Sequence, residues 1–136
     1  MTEKRPILWT PSRERAEAST MAAFLRWLEE THGLIFTDYD ALWNWSVSDL
    51  DGFWRAIWTY FGIGPKEAVT EVIARRDMPG AEWFPGVTLN YAEVVLRAGR
   101  DKPDDQALVV KSETFGESEL TWAELTARVA SVASHL

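Results

Sequence analysis

The first third of the chain alternates apolar and polar residues with the spacing of an amphipathic helix. Apolar side chains recur at positions i, i+3, i+4 and i+7 in the set Met21, Phe24, Leu25 and Leu28. The pattern predicts one helix that begins near Pro11, with Thr10 or Ser12 as its N-cap, because proline fits the first turn and a hydroxyl accepts an unpaired N–H there. Gly33 is expected to end this helix in a left-handed conformation.

Two further helices are expected between residues 38 and 62. The first begins near Asp38 and ends near Ser46. The second begins at Ser48, which would form a variant capping box with Asp51, and ends at Gly62. Its expected buried stripe consists of Phe53, Trp54, Ile57, Trp58 and Phe61.

The middle of the chain is less regular. Residues 69–73 contain enough β-branched side chains to form a strand, but the segment is too short to decide between a strand and another conformation. Between Met78 and Thr88, prolines and glycines surround Trp83 and Phe84, which predicts an irregular loop that carries two large rings. Because such a loop cannot bury both rings by itself, they need a surface to pack on. That surface lies either in this chain or beyond it.

The last third of the chain is expected to contain a helix, a linker and a β-β-α segment. The helix runs from Leu89 to about Ala98, and the polar, turn-rich residues 99–105 form the best candidate linker. We therefore place a domain boundary near residue 100. It separates a mostly helical region, residues 1–100, from a second region, residues 101–136.

Two strands and a helix are predicted after this boundary. Residues 106–110 form the first strand, Gly116 lies in the turn, and residues 119–120 form the return strand. Thr121 and Glu124 then form a capping box that starts the helix. The apolar side of this helix consists of Leu125, Val129, Val132 and Leu136. With no C-cap signal, the helix is expected to continue to the last residue, as in a truncated domain.

Composition and charge exclude several classes of function. The chain has 14 basic and 21 acidic residues, a net charge of −7, which disfavours nucleic acids and anionic membrane surfaces as partners. The absence of cysteine removes disulfides, thiolate metal sites and thiol catalysis, and two histidines are too few for a histidine-rich metal site. With no secretory signal and no membrane-spanning run, we expect a cytoplasmic protein with no nucleic-acid or membrane partner.

Several residues that could carry chemistry have simpler interpretations. Gly62 and Gly64 lack the third glycine and the lysine of a phosphate-binding loop. Neither His32 nor His135 has a G-x-S-x-G nucleophile to activate, and both are expected to be exposed residues at helix ends.

Two pairs of aspartates are also interpreted as structural. Both lie at predicted helix starts, where acids favour the helix dipole, and the loop spacing of a calcium-binding EF-hand is missing. The pairs are Asp38 with Asp40 and Asp49 with Asp51. We therefore assign no catalytic, cofactor-binding or metal-binding residue in this chain.

Three segments together carry a resemblance to a known family. They are residues 39–47 (YDALWNWSV), residues 78–93 (MPGAEWFPGVTLNYAE) and residues 105–136. The first two resemble the N-terminal region of acetoacetate–CoA ligases (acetoacetyl-CoA synthetases), in the acyl-CoA synthetase branch of the adenylate-forming superfamily. The third resembles the opening strand, hairpin and helix of the large adenylating domain in that superfamily.

This resemblance implies an α+β fold. Residues 1–100 would be the helical N-terminal cap, and residues 101–136 the incomplete β-β-α opening of the AMP-binding, adenylate-forming domain. The implied parent enzyme uses ATP, Mg and CoA to convert acetoacetate to acetoacetyl-CoA with release of AMP and pyrophosphate. In the family the nucleotide-binding loop and the catalytic lysine lie downstream, so no residue here takes those roles. The expected partners are the remainder of the adenylating domain and the small-molecule substrates.

Two alternatives stay open at this point. The parent enzyme could be a synthetase for another short-chain acid, acetate or propionate, because the motif from Trp83 to Asn90 is shared with those families. The chain could instead be a stand-alone protein-interaction module whose aromatic loop docks on a partner. If the chain is the N-terminal portion of an acetoacetate–CoA ligase, as the resemblance implies, Trp83 and Phe84 are expected to pack against the large domain and anchor the cap.

Overall fold

The computed structural model describes residues 8–65 and 68–135, which form two compact units. The first unit ends at Gly86 and the second begins at Val87. Helices predominate, and each unit contains one small antiparallel strand pair. The expected mostly helical α+β fold is confirmed, whereas the domain boundary near residue 100 stays a prediction. No helix within these residues is both long and apolar enough to cross a membrane.

The first expected helix is in fact two helices, α1 (Arg13–Glu17) and α2 (Thr20–His32). As expected, the Ser12 hydroxyl caps α1 by accepting an N–H of its first turn. The chain then leaves the helical conformation at Ser19, whose φ is −73° and ψ 153°, and the Ser19 hydroxyl caps α2. A serine side chain that bonds the backbone in this way competes with a continuous helix. Gly33 ends α2 with φ 66°, as predicted.

The next two helices are α3 (Tyr39–Ser48) and α4 (Leu50–Tyr60). Asp38 caps α3, as predicted. The predicted capping box at Ser48 is wrong, because Asp49 caps α4 and its carboxylate accepts an N–H of the first turn at 3.0 Å. Ser48 is the last residue of α3, and its hydroxyl donates to a carbonyl one turn earlier at 2.7 Å. The Ser48 hydroxyl therefore makes a hydrogen bond within α3 and is not the N-cap of α4 that the sequence predicted.

A core of apolar side chains holds α2, α3 and α4 together. Its buried members are Phe24, Leu28, Leu42 and Ala56. The half-buried side chains packed around them include Leu25, Trp27, Trp45, Phe53, Ile57 and Tyr60. The predicted stripes are confirmed only in part, because Met21, Trp54 and Phe61 are exposed. Periodicity identifies one face of a helix, but the neighbouring elements decide how wide a strip of that face is covered.

The other buried side chains described in the first unit lie in the last turn of α4 or after that helix. They are Trp58, Val69, Val72 and Ile73. Residues 69–73, which the sequence left undecided, lead into strand β1 (Ile73–Arg75). This strand pairs in antiparallel fashion with β2 (Glu82–Trp83), which interrupts the expected irregular loop.

The second unit contains one helix, a hairpin and a final helix. They are α5 (Tyr91–Arg97), β3 (Gln106–Ser112), β4 (Gly116–Thr121) and α6 (Trp122–Ala133). The hairpin is confirmed with strands longer than predicted, and the capping box of Thr121 and Glu124 is present. The prediction that α6 continues to the last residue is wrong, because α6 ends at Ala133. Leu136, assigned to its apolar side, lies outside the described residues.

Candidate functional site

The two histidines lie at helix ends and apart from any nucleophile motif. His32 is the exposed last residue of α2, and its ring centroid lies 5.0 Å from that of Trp27. His135 is exposed after the end of α6, and its Nδ1 lies 2.6 Å from the carbonyl oxygen of Ser131. The interpretation of both as exposed helix-end residues is confirmed.

Both aspartate pairs lie at helix N-termini. Asp38 and Asp49 accept N–H groups from the first turns of α3 and α4 at 2.8 and 3.0 Å. Asp40 and Asp51 lie in the same first turns, where a negative charge favours the helix dipole. The capping interpretation is therefore confirmed. Across residues 8–65 and 68–135, no three His, Cys, Asp or Glu side chains come together as ligands for a metal ion.

The two closely spaced glycines shape the end of α4. Gly62 has a φ of 56°, a conformation that glycine adopts without strain. The carbonyl oxygen of Gly64 accepts the indole N–H of Trp58 at 3.1 Å. A phosphate-binding loop instead presents a row of backbone N–H groups to the anion. The Gly64 carbonyl therefore helps to position the Trp58 ring.

The backbone of the aromatic loop, which we define as residues 78–86, is hydrogen-bonded to strand β1 and to Val72, the residue before that strand. The Phe84 N–H donates to the Val72 carbonyl at 2.7 Å, and the Arg75 guanidinium donates to the Gly80 carbonyl at 2.8 Å. Phe84 has a φ of 46°, which is uncommon for a residue with a side chain. A conformation of this kind persists only where the surrounding contacts hold it in place.

The rings of the aromatic loop pack on α4. The Phe84 ring lies 4.9 Å from the buried Trp58 ring, and the Trp83 ring meets Trp54 edge to face at 5.6 Å. The surface that the loop needs is therefore present in this chain. Trp83 keeps 41% of its surface exposed, and a recess of about 400 Å³ lies among Trp54, Trp83 and Phe84.

A continuous row of rings connects the aromatic loop to the half-buried shell of the core. Its members in order are Phe36, Trp45, Phe53, Trp54 and Trp83. Successive centroids are 5.2, 5.4, 5.4 and 5.6 Å apart, within the range of favourable aromatic pairs. The Trp45 indole N–H also donates to the Asp49 carboxylate at 3.2 Å. The row positions the loop relative to α3 and α4.

A second aromatic surface lies on α3 and was missed by the sequence reasoning. Tyr39, Trp43 and Val47 are 67%, 52% and 52% exposed and lie at positions i, i+4 and i+8, so they form one row on the helix surface. We call these three residues the α3 stripe. The same spacing is visible in the sequence, but a row of apolar residues on a helix is typical of the buried face.

In the second unit, a groove of about 530 Å³ lies between α5 and α6. Gly99 and Trp122 line it, and a Cβ added at Gly99 would collide with the Trp122 ring. Glu93 and Arg100 are the charged residues among its lining. The groove thus offers one carboxylate and one guanidinium on mainly apolar walls, which is too little for a catalytic constellation.

Comparisons with known proteins find similarity to acyl-CoA synthetases. Residues 39–95 match the family model described as "Acetyl-coenzyme A synthetase N-terminus". The acetoacetyl-CoA synthetase of Rhizobium meliloti (strain 1021) is 38% identical over 95% of this chain. The solved structure of the acetoacetyl-CoA synthetase from Streptomyces lividans is 42% identical and matches 97% of this chain with a TM-score of 0.80. The chain is related to the N-terminal region of the acetoacetyl-CoA synthetases.

The similarity to acetoacetyl-CoA synthetases is confined to a small part of those proteins. This chain spans 19% of the Rhizobium protein and 21% of the Streptomyces chain. A malonamoyl-CoA synthetase of Penicillium aethiopicum is 33% identical over 90% of this chain, which spans 17% of that protein. The chain therefore spans about a fifth of the length of these relatives.

The family match also indicates which surfaces belong to the shared region. It begins at Tyr39 and ends at Val95, so it contains α3, α4 and the aromatic loop. The resemblance that the residues suggested is confirmed. The α3 stripe and the aromatic loop are thus features of the part that this chain has in common with acyl-CoA synthetases.

Proposed function

We propose that this chain is the N-terminal portion of an ATP-dependent acetoacetate–CoA ligase, and that this portion is structural and does not catalyse alone. The observation that carries the proposal is the match to acetoacetyl-CoA synthetases over 95–97% of this chain but only 19–21% of theirs. The parent enzyme would convert acetoacetate, ATP and CoA to acetoacetyl-CoA, AMP and pyrophosphate.

The binding of ATP, Mg and CoA is proposed for the parent enzyme outside this chain. Within the described residues, the carboxylates of Asp38 and Asp49 are used as helix caps. The Gly64 carbonyl accepts the Trp58 indole N–H, which supports placing the phosphate-binding residues elsewhere. The contribution of this chain is accordingly to fold and to pack against the remainder of the adenylating domain, in a cytoplasmic enzyme.

The relatives favour a β-carbonyl acid as the substrate. Several of them are named acetoacetyl-CoA synthetases, and one is named a malonamoyl-CoA synthetase. Acetoacetate and malonamate share a carboxylate, a methylene group and a second carbonyl, and they differ only in a terminal methyl or amino group. Malonamate is therefore the second candidate substrate. Acetate and propionate remain comparison acids because the matched family model is described by acetyl-CoA synthetase.

The test is a substrate panel with the native-length polypeptide that carries this sequence. ATP, Mg and CoA are supplied with acetoacetate, malonamate, acetate or propionate, and AMP and thioester formation are measured. We expect the highest kcat/KM with acetoacetate and no turnover by the 136-residue chain alone. Preference for malonamate would move the proposal to the second substrate. Absence of thioester with every acid would overturn it in favour of a protein-interaction module.

A further inference from the structure

The α3 stripe is an apolar surface that the described structure leaves without a cover. Helix α3 turns Leu42 and Trp45 toward the core and presents Tyr39, Trp43 and Val47 outward. Single exposed apolar residues are ordinary, but a contiguous row with two aromatic rings is typical of an interface. The rings of the aromatic loop differ, because Trp83 and Phe84 already pack on α4.

A recess beside the stripe gives the surface a specific shape. It measures about 140 Å³ and is lined by Tyr39 and Trp43 together with the core residues Phe24 and Leu42. An apolar cavity of about 150 Å³ holds a benzene molecule, so this recess has room for one aliphatic or phenyl side chain. Buried anchor residues of this kind carry most of the binding energy of an interface.

The charges near the stripe select the kind of partner. Residues 31–60 contain four acids and one basic residue, and Asp38 and Asp40 lie at the same end of α3 as Tyr39. The basic residue, Arg55, donates to the carbonyls of Val69 and Thr70. A symmetric pairing of two copies would bring like charges together at this edge, whereas a basic rim would complement it.

We propose that the α3 stripe is the docking face of this chain for a basic-rimmed apolar surface in the rest of the parent synthetase. One aliphatic or phenyl side chain of that surface enters the recess. This inference rests on the proposed function, because the relatives have about four-fifths of their length outside the region this chain spans. The α3 stripe, rather than the aromatic loop, is then the principal anchor.

Oxidative footprinting of the native-length polypeptide tests this proposal. Hydroxyl radicals label exposed Trp and Tyr side chains, and each rate is compared with that of the same residue in the unfolded protein. Buried Trp58 serves as the internal standard for full protection. We expect Tyr39 and Trp43 to be labelled as slowly as Trp58. Labelling of Trp43 in proportion to its 52% exposure in this structure would overturn the proposal.

Two variants test the recess and the charged edge separately. Ser46→Leu places an apolar side chain in the recess, which Ser46 also lines, and Asp40→Lys reverses one edge charge without touching the Asp38 cap. Each should raise the labelling rate of Trp43 toward its rate in the unfolded protein, and a normal Trp58 rate shows that the variant is folded. Unchanged Trp43 labelling in both folded variants would overturn the proposal.

The chain offers a matched control for the stripe itself. Tyr39 and Tyr91 are both exposed first residues of helices, α3 and α5 respectively. Tyr39→Ser should raise the labelling rate of Trp43, whereas Tyr91→Ser should leave it unchanged. If both substitutions raised the labelling rate of Trp43 equally, the cause would be a general destabilisation of the fold. That result would contradict a docking role for the stripe.

Ligase activity measured on the same samples separates this inference from the proposed function. Protection of Trp43 in a native-length polypeptide that forms no thioester would support docking on the rest of that polypeptide while the functional proposal fails. An active enzyme with Trp43 freely labelled would overturn docking alone. Protection that appears only as protein concentration rises would identify a second copy as the occupant and overturn the proposal.

Discussion

The two units obtain their order from different sources. Among residues 8–65 and 68–86, the first unit buries eight apolar side chains, namely Phe24, Leu28, Leu42, Ala56, Trp58, Val69, Val72 and Ile73. Among described residues 87–135 no apolar side chain reaches the same degree of burial, and Leu108, Val109 and Val110 of β3 are exposed. Regular secondary structure in the second unit therefore does not imply a core of its own. Hydrophobic burial, the dominant favourable term in folding, lies in the first unit.

Local interactions account for the structure of the second unit. Thr121 accepts the Glu124 N–H, and the Glu124 carboxylate accepts the Thr121 N–H in return. The hairpin adds a ladder of backbone hydrogen bonds and an exposed ion pair of Lys111 with Glu117 at 2.8 Å. An exposed ion pair contributes at most about 1 kcal/mol. An isolated two-stranded hairpin is marginal in water, so this unit is expected to open more readily than the first.

The largest effect is expected where the first unit is most buried. Trp58 is 3% exposed, packs on Phe84 and donates its indole N–H to Gly64. Trp58→Ala should lower the free energy of unfolding by about 3–5 kcal/mol in urea denaturation followed by circular dichroism. Trp9→Ala, at an exposed tryptophan, is the control and should change it by less than about 0.5 kcal/mol. Similar losses for both would contradict a core centred in this unit.

A smaller effect is expected at the close contact between Gly99 and Trp122 in the second unit. A Cβ at Gly99 would collide with the Trp122 ring, so Gly99→Ala should destabilise α6 by about 1–3 kcal/mol. Amide hydrogen exchange of α6 measures this loss. Adding Trp122→Ala removes the collision and should make the two effects less than additive. Full additivity would show that the two residues do not meet.

A capping substitution tests whether local signals dominate the second unit. Thr121→Ala removes the side chain that accepts the Glu124 N–H and should cost about 1 kcal/mol of α6 stability. Thr121→Ser keeps a hydroxyl and should retain most of the stability of α6. The measurement is again amide exchange across residues 122–133. If exchange there were insensitive to Thr121→Ala, the helix would depend on tertiary contacts instead of its cap.

The smallest effect is expected at the tip of the hairpin. Phe115 is 89% exposed, so Phe115→Ser should change the free energy of unfolding by less than about 0.5 kcal/mol. Thermal denaturation of the variant beside the unmodified chain measures this change. A clear loss of stability would mean that Phe115 packs on something in solution and would weaken the contrast between the units.

Elements with a strong local signal could be predicted from the sequence. Gly33, Asp38 and the Thr121–Glu124 box mark helix ends as expected, since each role depends on backbone groups within a few residues. The break before α2 was not predicted, because Ser19 is an ordinary helix residue until its hydroxyl caps the following turn. Ser48 and Asp49 compete for one cap, and adjacency in sequence does not decide between them.

Burial was less predictable than the helices themselves. Trp54 and Phe61 have the spacing of a buried stripe yet are exposed, because spacing alone does not show which positions of a helix the neighbouring elements cover. The row of rings from Phe36 to Trp83 joins residues far apart in sequence, and such contacts depend on the tertiary arrangement. The α3 stripe could be listed from its spacing alone, but only the structure shows that it faces outward.

The mass of the native polypeptide tests the central claim most directly. An antibody against this sequence captures the protein from its own cells, and mass spectrometry gives its size. As the N-terminal portion of a synthetase, it should be about five times heavier than the 15.5 kDa of this chain, since the chain spans about a fifth of its relatives. A native species of 15.5 kDa would contradict the account and leave a protein-interaction module in its place.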